Sequence, residues 1–233
     1  MNVSTFQAAY LREHMDCEIK LIDSKFERLN FVETVKRIEN FEPDIVAYTA
    51  FTNEIKPAAK VAQMLIERER IKPLQVVGGV HVTALPEVSL KEFPQFDIVV
   101  YGEGEITFLE LCQAYVASKT YDHINGLVFR SSNGEVVKTA PRERIVDINE
   151  IPVPAWDLLP PAKHYFIQAS RGCLFSCKFC MNPNGKSVRH RTSESIIAEI
   201  SDLASKQGAK LITYGDEIFT VDLPWVKDLV REK

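Results

Sequence analysis

The stretch Asp44–Phe51, D-I-V-A-Y-T-A-F, constrains the fold more than any other. It is apolar almost throughout, as a strand in a sheet covered on both faces requires; a strand with one wet face would alternate. A long amphipathic pattern follows at Glu54–Arg70, with Ala58, Val61, Ala62, Leu65 and Ile66 on its inner face. Leu74–Gly79 and Phe96–Tyr101 are further buried strands, and a helix around Ile106–Ala117 follows the second. Upstream, Ser4–Glu13 reads as a helix with Ser4 or Thr5 as its cap and Phe6, Ala9 and Tyr10 on one face. Glu18–Asp23 reads as a short strand, and Phe31–Asn40 as a helix with Phe31, Val35 and Ile38 at helical spacing. Strands alternating with helices at this spacing predict an α/β fold with a parallel, doubly wound sheet.

Three cysteines, Cys173, Cys177 and Cys180, stand in S-R-G-C-L-F-S-C-K-F-C. The run Tyr165-Phe166-Ile167 before them reads as the end of a strand, and Met181-Asn182-Pro183-Asn184-Gly185 after them as a loop. Thiols in a loop straight after a strand are presented by a rigid scaffold. Thiolates are soft ligands, and tight cysteine groups are the usual holders of iron–sulfur clusters. Two other readings exist. Positions i, i+4 and i+7 share a helix face, so these could be core residues; Gly172 and the Asn-Pro-Asn-Gly run argue against such a helix. A zinc site would need His164 or His190 as a fourth ligand, and no second cysteine pair is present. On the cluster reading the three sulfurs are expected to converge even without metal.

In open α/β sheets, ligands bind beyond the carboxyl ends of the strands. Three such ends are Thr49-Ala50-Phe51-Thr52-Asn53, Gly78-Gly79-Val80-His81-Val82-Thr83-Ala84 and Tyr101-Gly102-Glu103-Gly104-Glu105. A nicotinamide site is excluded, because no G-x-G-x-x-G follows a strand. Glu103 and Glu105 would also face the pyrophosphate. At about 6 Å and an effective dielectric of about 20, each would repel a unit charge by about 3 kcal/mol, against about 0.3–1 kcal/mol returned by a helix N-terminus.

The run Arg171-Gly172-Cys173 to Cys180, with aromatic Phe179 before the third cysteine, resembles the signature of the radical S-adenosylmethionine (SAM) enzymes. Leu174 stands where many relatives have proline. The resemblance implies a 4Fe–4S cluster on Cys173, Cys177 and Cys180, with SAM chelating the open iron and cleaved by one electron to a 5′-deoxyadenosyl radical. It places Phe179 beside the adenine. It also implies that Gly215-Asp216-Glu217, after the strand Lys210–Tyr214, holds the SAM amino group through either Asp216 or Glu217. The stretches G-G-V-H-V-T-A-L-P-E and V-V-Y-G-E-G-E-I-T-F-L-E-L resemble the cobalamin-binding domain found in front of many radical SAM barrels. That implies cobalamin contacts at Thr49, Thr52, Gly78, Gly79, His81, Thr83, Glu103 and Gly104. The D-x-H-x-x-G motif that supplies an axial histidine elsewhere is absent, and His81 lies on a different loop.

The implied organisation is a flavodoxin-like cobalamin-binding domain over 1–120, a hairpin and proline-rich linker over 121–161, and the start of a partial radical SAM (β/α) barrel over 162–233. The hairpin is Asn125–Arg130 with Glu135–Thr139 around the turn Asn133-Gly134. The linker Ile151–Pro161 is stiffened by proline and anchored by Trp156 and Leu159. Arg189-His190-Arg191 is either a solvated face or an anion contact near SAM, ahead of a helix Ser195–Gln207 capped by Thr192 or Ser193. A flavodoxin-like order 2-1-3-4-5 centres the first strand, for which the chain offers only Met1-Asn2-Val3. Glu18–Asp23 and Asp44–Phe51 are then expected to lie apart without ladder bonds. The chain also runs out in the helix begun by Leu223-Pro224-Trp225. It is therefore expected to be clipped at both ends and inactive alone.

The resemblance implies methyl transfer to an unactivated carbon of a small-molecule substrate. Oxidative ring closure of the anaerobic magnesium-protoporphyrin ester cyclase type, or non-catalytic cofactor binding, are the alternatives. An electron donor such as flavodoxin or ferredoxin is the implied partner. The net charge of −4 offers no basic field for nucleic acid. No apolar run approaches the ~20 residues of a membrane span, and no signal peptide is evident. Five cysteines, three of them clustered, suit a metal site in a reducing cytoplasm better than a disulfide framework; Cys17 and Cys112 read as inert core residues.

Overall fold

A computed structural model describes residues 4–231. Two compact units make up the chain: His14–Glu143, and the residues up to Glu13 together with those from Arg144 onward.

The first unit is a five-stranded sheet of order β1-β2-β3-β4-β5, with β1 Ile45–Thr49, β2 Leu74–Gly78, β3 Ile98–Val100, β4 Leu127–Arg130 and β5 Val136–Lys138. β1, β2 and β3 are parallel, in register Ile45↔Leu74 and Val76↔Ile98. β4 and β5 add antiparallel strands onto β3. The predicted hairpin therefore extends this sheet. Alternate side chains go to opposite faces. Val77 and Val99 enter one core cluster with Ala62, Leu90 and Phe96; Val76, Ile98 and Val100 enter another with Leu111, Ile124 and Leu127. Both faces of β2 and β3 are thus covered, as their largely apolar runs require; the one polar side chain, Gln75 of β2, is buried and accepts from Tyr48 OH at 2.9 Å.

Two expectations are corrected here. β1 is not covered on both faces: among the described residues it is an edge strand, and its Ala47 and Thr49 are exposed. Glu18–Asp23 is not a strand. It has no regular structure, and no ladder joins it to β1 among the described residues. A strand exists only with a partner edge, and among the described residues this segment meets none; Ile22 packs against the cluster of Val35, Ile38, Val46 and Leu65. Met1-Asn2-Val3 lies outside the described residues.

Around the sheet lie α2 (Phe31–Glu39), α3 (Ile55–Arg68), α4 (Val80–Ala84), α5 (Pro86–Glu92) and α6 (Glu105–Val116). α2 opens on a capping box: the Asn30 side chain accepts from Glu33 N–H at 3.0 Å and Glu33 accepts from Asn30 N–H at 2.9 Å. Its Val35 and Ile38 are buried, but Phe31 is exposed. The short helix α4 takes up most of the loop expected at the end of β2, and α5 follows it directly. Pro86 at the first position of α5 needs no N–H partner there.

The second unit is built on β6 (His164–Ile167) and β9 (Leu211–Tyr214), paired in parallel with α7 (Ser193–Lys206) between them in sequence. Thr192 caps α7, its hydroxyl accepting from Ser195 N–H at 3.3 Å. Tyr165, Ile167, Ala169, Ile196, Leu203 and Leu229 form the core, the last from α8 (Leu223–Arg231). A two-stranded antiparallel ribbon, β7 (Ser170–Arg171) with β8 (Arg189–His190), frames the cysteine loop. Helix α1 (Ser4–His14) belongs here rather than to the sheet that follows it in sequence. Ala155 N–H donates to Thr5 O at 3.0 Å, Arg12 grips Asp157 at 2.9 and 3.1 Å, and Arg171 lies over the Phe6 ring at 5.2 Å. The linker anchor Trp156 packs edge-on against Tyr165 at 5.4 Å and donates to Glu199 at 2.7 Å.

Candidate functional site

In the sheet unit, the three predicted loops are stitched side by side at the carboxyl ends of β1, β2 and β3. Ala50 N–H donates to Gly78 O at 3.1 Å, and His81 N–H to Ala50 O at 3.3 Å. His81 Nδ1 lies 3.2 Å from Thr52 Oγ1. Thr83 Oγ1 accepts from Gly102 N–H at 3.1 Å. Gly79 is required where it stands: its φ is +102°, and a Cβ would fall 2.8 Å from both Ala50 N and Ala50 O and 3.1 Å from Thr49 Oγ1. Gly104 precedes α6 as its N-cap, Glu103 beside it is partly exposed, and Glu105 is buried. Thr49, Thr52, Gly78, Gly79, His81, Thr83, Glu103 and Gly104 are therefore gathered on neighbouring loops, whereas Glu105 turns inward.

In the second unit, the cysteine loop and the acidic turn lie at the carboxyl ends of adjacent strands. Gly215 N–H donates to Ile167 O at 2.8 Å, which continues the β6–β9 ladder to the turn. Asp216 accepts from Ser170 Oγ at 2.5 Å and Ala169 N–H at 3.3 Å. Desolvation pushes its carboxyl above the usual carboxylate range; these hydrogen bonds oppose the shift and neighbouring Glu217 adds to it. Glu217 accepts from Gly172 N–H at 3.3 Å and from the Asn184 side chain. The two carboxylates thus divide the work: Asp216 holds the turn between β6 and β7, and Glu217 holds both ends of the cysteine loop.

Cys177 and Cys180 are exposed, Cys173 is partly so, and Phe179 is 94% exposed. The donor set fits an iron–sulfur cluster in kind: soft thiols on one loop with no competing hard ligand among them. The expected convergence without metal is not found. No group of three or more His, Cys, Asp or Glu among the described residues is arranged to hold a metal. Neutral thiols on a solvated loop have little mutual attraction, and thiolates repel one another. The two arginines of the basic triplet are not a solvated face. Arg191 is 6% exposed and bonds Gln168 O at 3.0 Å, Ser195 Oγ at 2.9 Å and the Glu199 carboxylate; Arg189 bonds Ile145 O at 2.6 Å and Asn184 O at 3.1 Å. Both are internal braces. Glu199, eight residues on along α7, was the signal: a buried arginine needs such a partner.

The B12-binding domain family matches residues 6–112. An uncharacterised methyltransferase of Pyrococcus horikoshii is 38% identical over 229 residues, covering 93% of this chain and 48% of the relative. The anaerobic magnesium-protoporphyrin IX monomethyl ester cyclase of Cereibacter sphaeroides is 30% identical over 217 residues, covering 86% of this chain and 34% of the cyclase. This chain belongs to the cobalamin-binding radical SAM enzymes. It spans about half the length, or less, of these two relatives. Among solved structures, the cobalamin-dependent SAM radical enzyme OxsB with aqua-cobalamin and SAM bound superposes with a TM-score of 0.81 at 24% identity, over 96% of this chain and 32% of that one. That likeness establishes the fold of this family member, a mixed α/β sheet followed by the β6–α7–β9 unit. No described helix is long and apolar enough to cross a membrane.

Two site residues escaped sequence reading. Asn182 and Asn184 read as turn formers, yet Asn182 bonds back across the cysteine loop to Cys173 O and Asn184 reaches Glu217 in the acidic turn. Their spacing after Cys180 carried no signal beyond turn chemistry.

Proposed function

We propose that this chain is part of a cytoplasmic enzyme that cleaves SAM at a 4Fe–4S cluster and transfers a methyl group, by way of cobalamin, to an unactivated carbon of a small molecule. The observation that carries the reading is the placement of Cys173, Cys177 and Cys180 on one loop at the carboxyl end of β6, next to the acidic turn after β9. The methyltransferase name of the 38% identical relative supports methyl transfer.

Cys173, Cys177 and Cys180 would ligate three irons. When bound, the cluster supplies the electron that cleaves SAM and cobalamin carries the methyl group. Glu217, which accepts from Gly172 N–H beside Cys173 and from Asn184, borders the cysteine loop directly and is on that ground the better placed of the two carboxylates to receive the SAM amino group. Asp216 is committed to Ser170 and Ala169. Phe179, almost wholly exposed, offers a ring face to the adenine. Thr49, Thr52, Gly78, Gly79, His81, Thr83, Glu103 and Gly104 would line the cobalamin, with Gly79 allowing the loop after β2 to pack directly on Ala50. A flavodoxin or ferredoxin would deliver the electron.

The test uses the whole protein, reconstituted anaerobically with iron and sulfide and supplied with hydroxocobalamin. It should turn brown, bind cobalamin saturably and convert SAM to 5′-deoxyadenosine and methionine under a strong reductant. Alanine at any one of the three cysteines should abolish the brown absorbance. Gly79→Val should weaken cobalamin binding while leaving iron content unchanged. A protein that takes up neither iron nor cobalamin sinks the reading. Oxidative ring closure is the second reading, favoured by the 30% identity to the ester cyclase; SAM cleavage with no methylated product in a substrate screen would support it. Cofactor uptake with no SAM cleavage would leave a non-catalytic binding protein.

A further inference from the structure

Asn182 is bonded, directly or through one link, to all three cysteines. Its backbone N–H points at Cys180 Sγ at 3.4 Å, and its side-chain Nδ2 donates to Cys173 O at 2.8 Å. Cys180 N–H in turn donates to Cys177 O at 3.0 Å. The Asn182 carbonyl accepts from Gly185 N–H at 3.1 Å, and Gly185 O accepts from Cys173 N–H at 2.9 Å. The first cysteine is thus held at both its N–H and its C=O by the segment that follows the third. This geometry depends on a left-handed backbone, with φ at +47°, a conformation asparagine tolerates better than most residues. Asn182 Oδ1 is buried with no partner. A buried unsatisfied acceptor is unfavourable, so without a role for the Nδ2 bond a residue lacking the side chain would serve better here.

We infer that Asn182 is a positioning residue for the cluster. Its side chain closes the loop from Cys173 to Asn182, and its backbone N–H donates to the sulfur of Cys180. The inference rests on the cluster reading proposed above. The first effect governs how firmly the cluster is retained. The second raises its reduction potential, because hydrogen bonds to the sulfurs favour the more negative reduced state.

Two substitutions in the full chain separate the effects. Asn182→Gly keeps the N–H and accepts a positive φ, but removes the clamp. Asn182→Ala removes the clamp and also disfavours the backbone conformation. After anaerobic reconstitution, three quantities are read: iron per chain, the rate at which a chelator bleaches the brown absorbance, and the midpoint potential followed by electron paramagnetic resonance. Both variants should bleach about fivefold faster than the wild type, the loss expected for one neutral hydrogen bond. The potential should stay near the wild-type value in Asn182→Gly and fall in Asn182→Ala. Bleaching of Asn182→Gly at the wild-type rate overturns the clamp. Equal potentials in all three proteins overturn the role of the N–H. Should the alanine variant not take up iron, the glycine variant decides both: its bleaching rate the clamp, and a potential displaced from the wild-type value overturns the role of the N–H. A wild-type protein without iron is a different failure, that of the cluster reading itself.

Discussion

Gly172 faces the carbonyl oxygen of Ser187 so closely that a Cβ on it would lie 2.1 Å from that oxygen. Its φ is +100°, its N–H is held by Glu217, and it immediately precedes Cys173. The base of the cysteine loop is therefore pinched to the width of two backbones. Gly172→Ala would combine a left-handed strain of about 1–3 kcal/mol with a backbone clash that no rotamer relieves. The expected outcome is a chain whose sheet unit folds but whose cysteine loop no longer takes up iron. Far-ultraviolet circular dichroism and iron content after reconstitution check this; wild-type iron content would contradict it.

Arg191 and Glu199 form the most deeply buried ion pair among those recorded, with side chains 6% and 0% exposed. Glu199 is shared with the indole N–H of Trp156, so the pair also fixes the linker anchor. Removing one partner leaves a buried charge uncompensated, at a cost of about 3–5 kcal/mol. Glu199→Ala should lower the unfolding free energy of the second unit by that amount. Trp156 and Trp225 are the two tryptophans of the chain and both belong to that unit, so tryptophan fluorescence in a denaturant titration reports on it alone. A change below about 1 kcal/mol would mean that water enters to solvate Arg191.

Much of the architecture was legible because it follows from periodicity. Ile98–Val100 is apolar throughout and Leu74–Gly78 is apolar but for Gln75, and these are the doubly covered strands. Glu54–Arg70 carried a helical stripe and became α3. The loop position of the three cysteines followed from the strand before them and the Asn-Pro-Asn-Gly run after them. The failures have physical causes too. Glu18–Asp23 has strand-like residues, but pairing is a property of the neighbour and not of the segment. Asp44–Phe51 is as apolar as a central strand and still sits at an edge, because sheet order is set by contacts far apart in sequence. Arg191 carries the same charge in solvent as against Glu199, so its burial could not be read from the triplet. The bonds from Asn182 and Asn184 depend on how the cysteine loop closes, which turn chemistry does not encode.

Cys112 should be inert where Cys177 and Cys180 react. Burial pushes the Cys112 thiol up to about 12, with a small further contribution from Cys17. At pH 8 only about one molecule in ten thousand carries the thiolate, which is the reactive form. The core placement expected for it is met, but Cys17 is exposed, contrary to expectation. Iodoacetamide labelling of the metal-free chain at pH 8, read by peptide mass spectrometry, should modify Cys177 and Cys180 within minutes and leave Cys112 unmodified until denaturant is added. Early labelling of Cys112 would indicate that α6 opens in the native state.

Asp216 makes the stability of the second unit depend on pH with a sign opposite to that of an ordinary ion-paired carboxylate. Its folded-state value is raised, chiefly by desolvation, despite the hydrogen bonds from Ser170 and Ala169. The folded form therefore favours the protonated carboxyl. Its stabilising contribution is fully present below the unfolded value near pH 3.9 and is lost as pH rises through the higher folded value. Asp216→Asn keeps an oxygen to accept from Ser170 and Ala169, carries no charge to desolvate and removes the repulsion with Glu217. The variant should unfold at a higher denaturant concentration than the wild type at pH 7 and lose that advantage as pH is lowered towards 4. Tryptophan-monitored denaturation at pH 4, 5.5 and 7 measures the difference, since both indoles lie in the same unit as Asp216. Curves for wild type and Asp216→Asn that stay parallel across this range would show that Asp216 is already solvated at the end of β9, and that the acidic turn is open rather than held against the base of the cysteine loop.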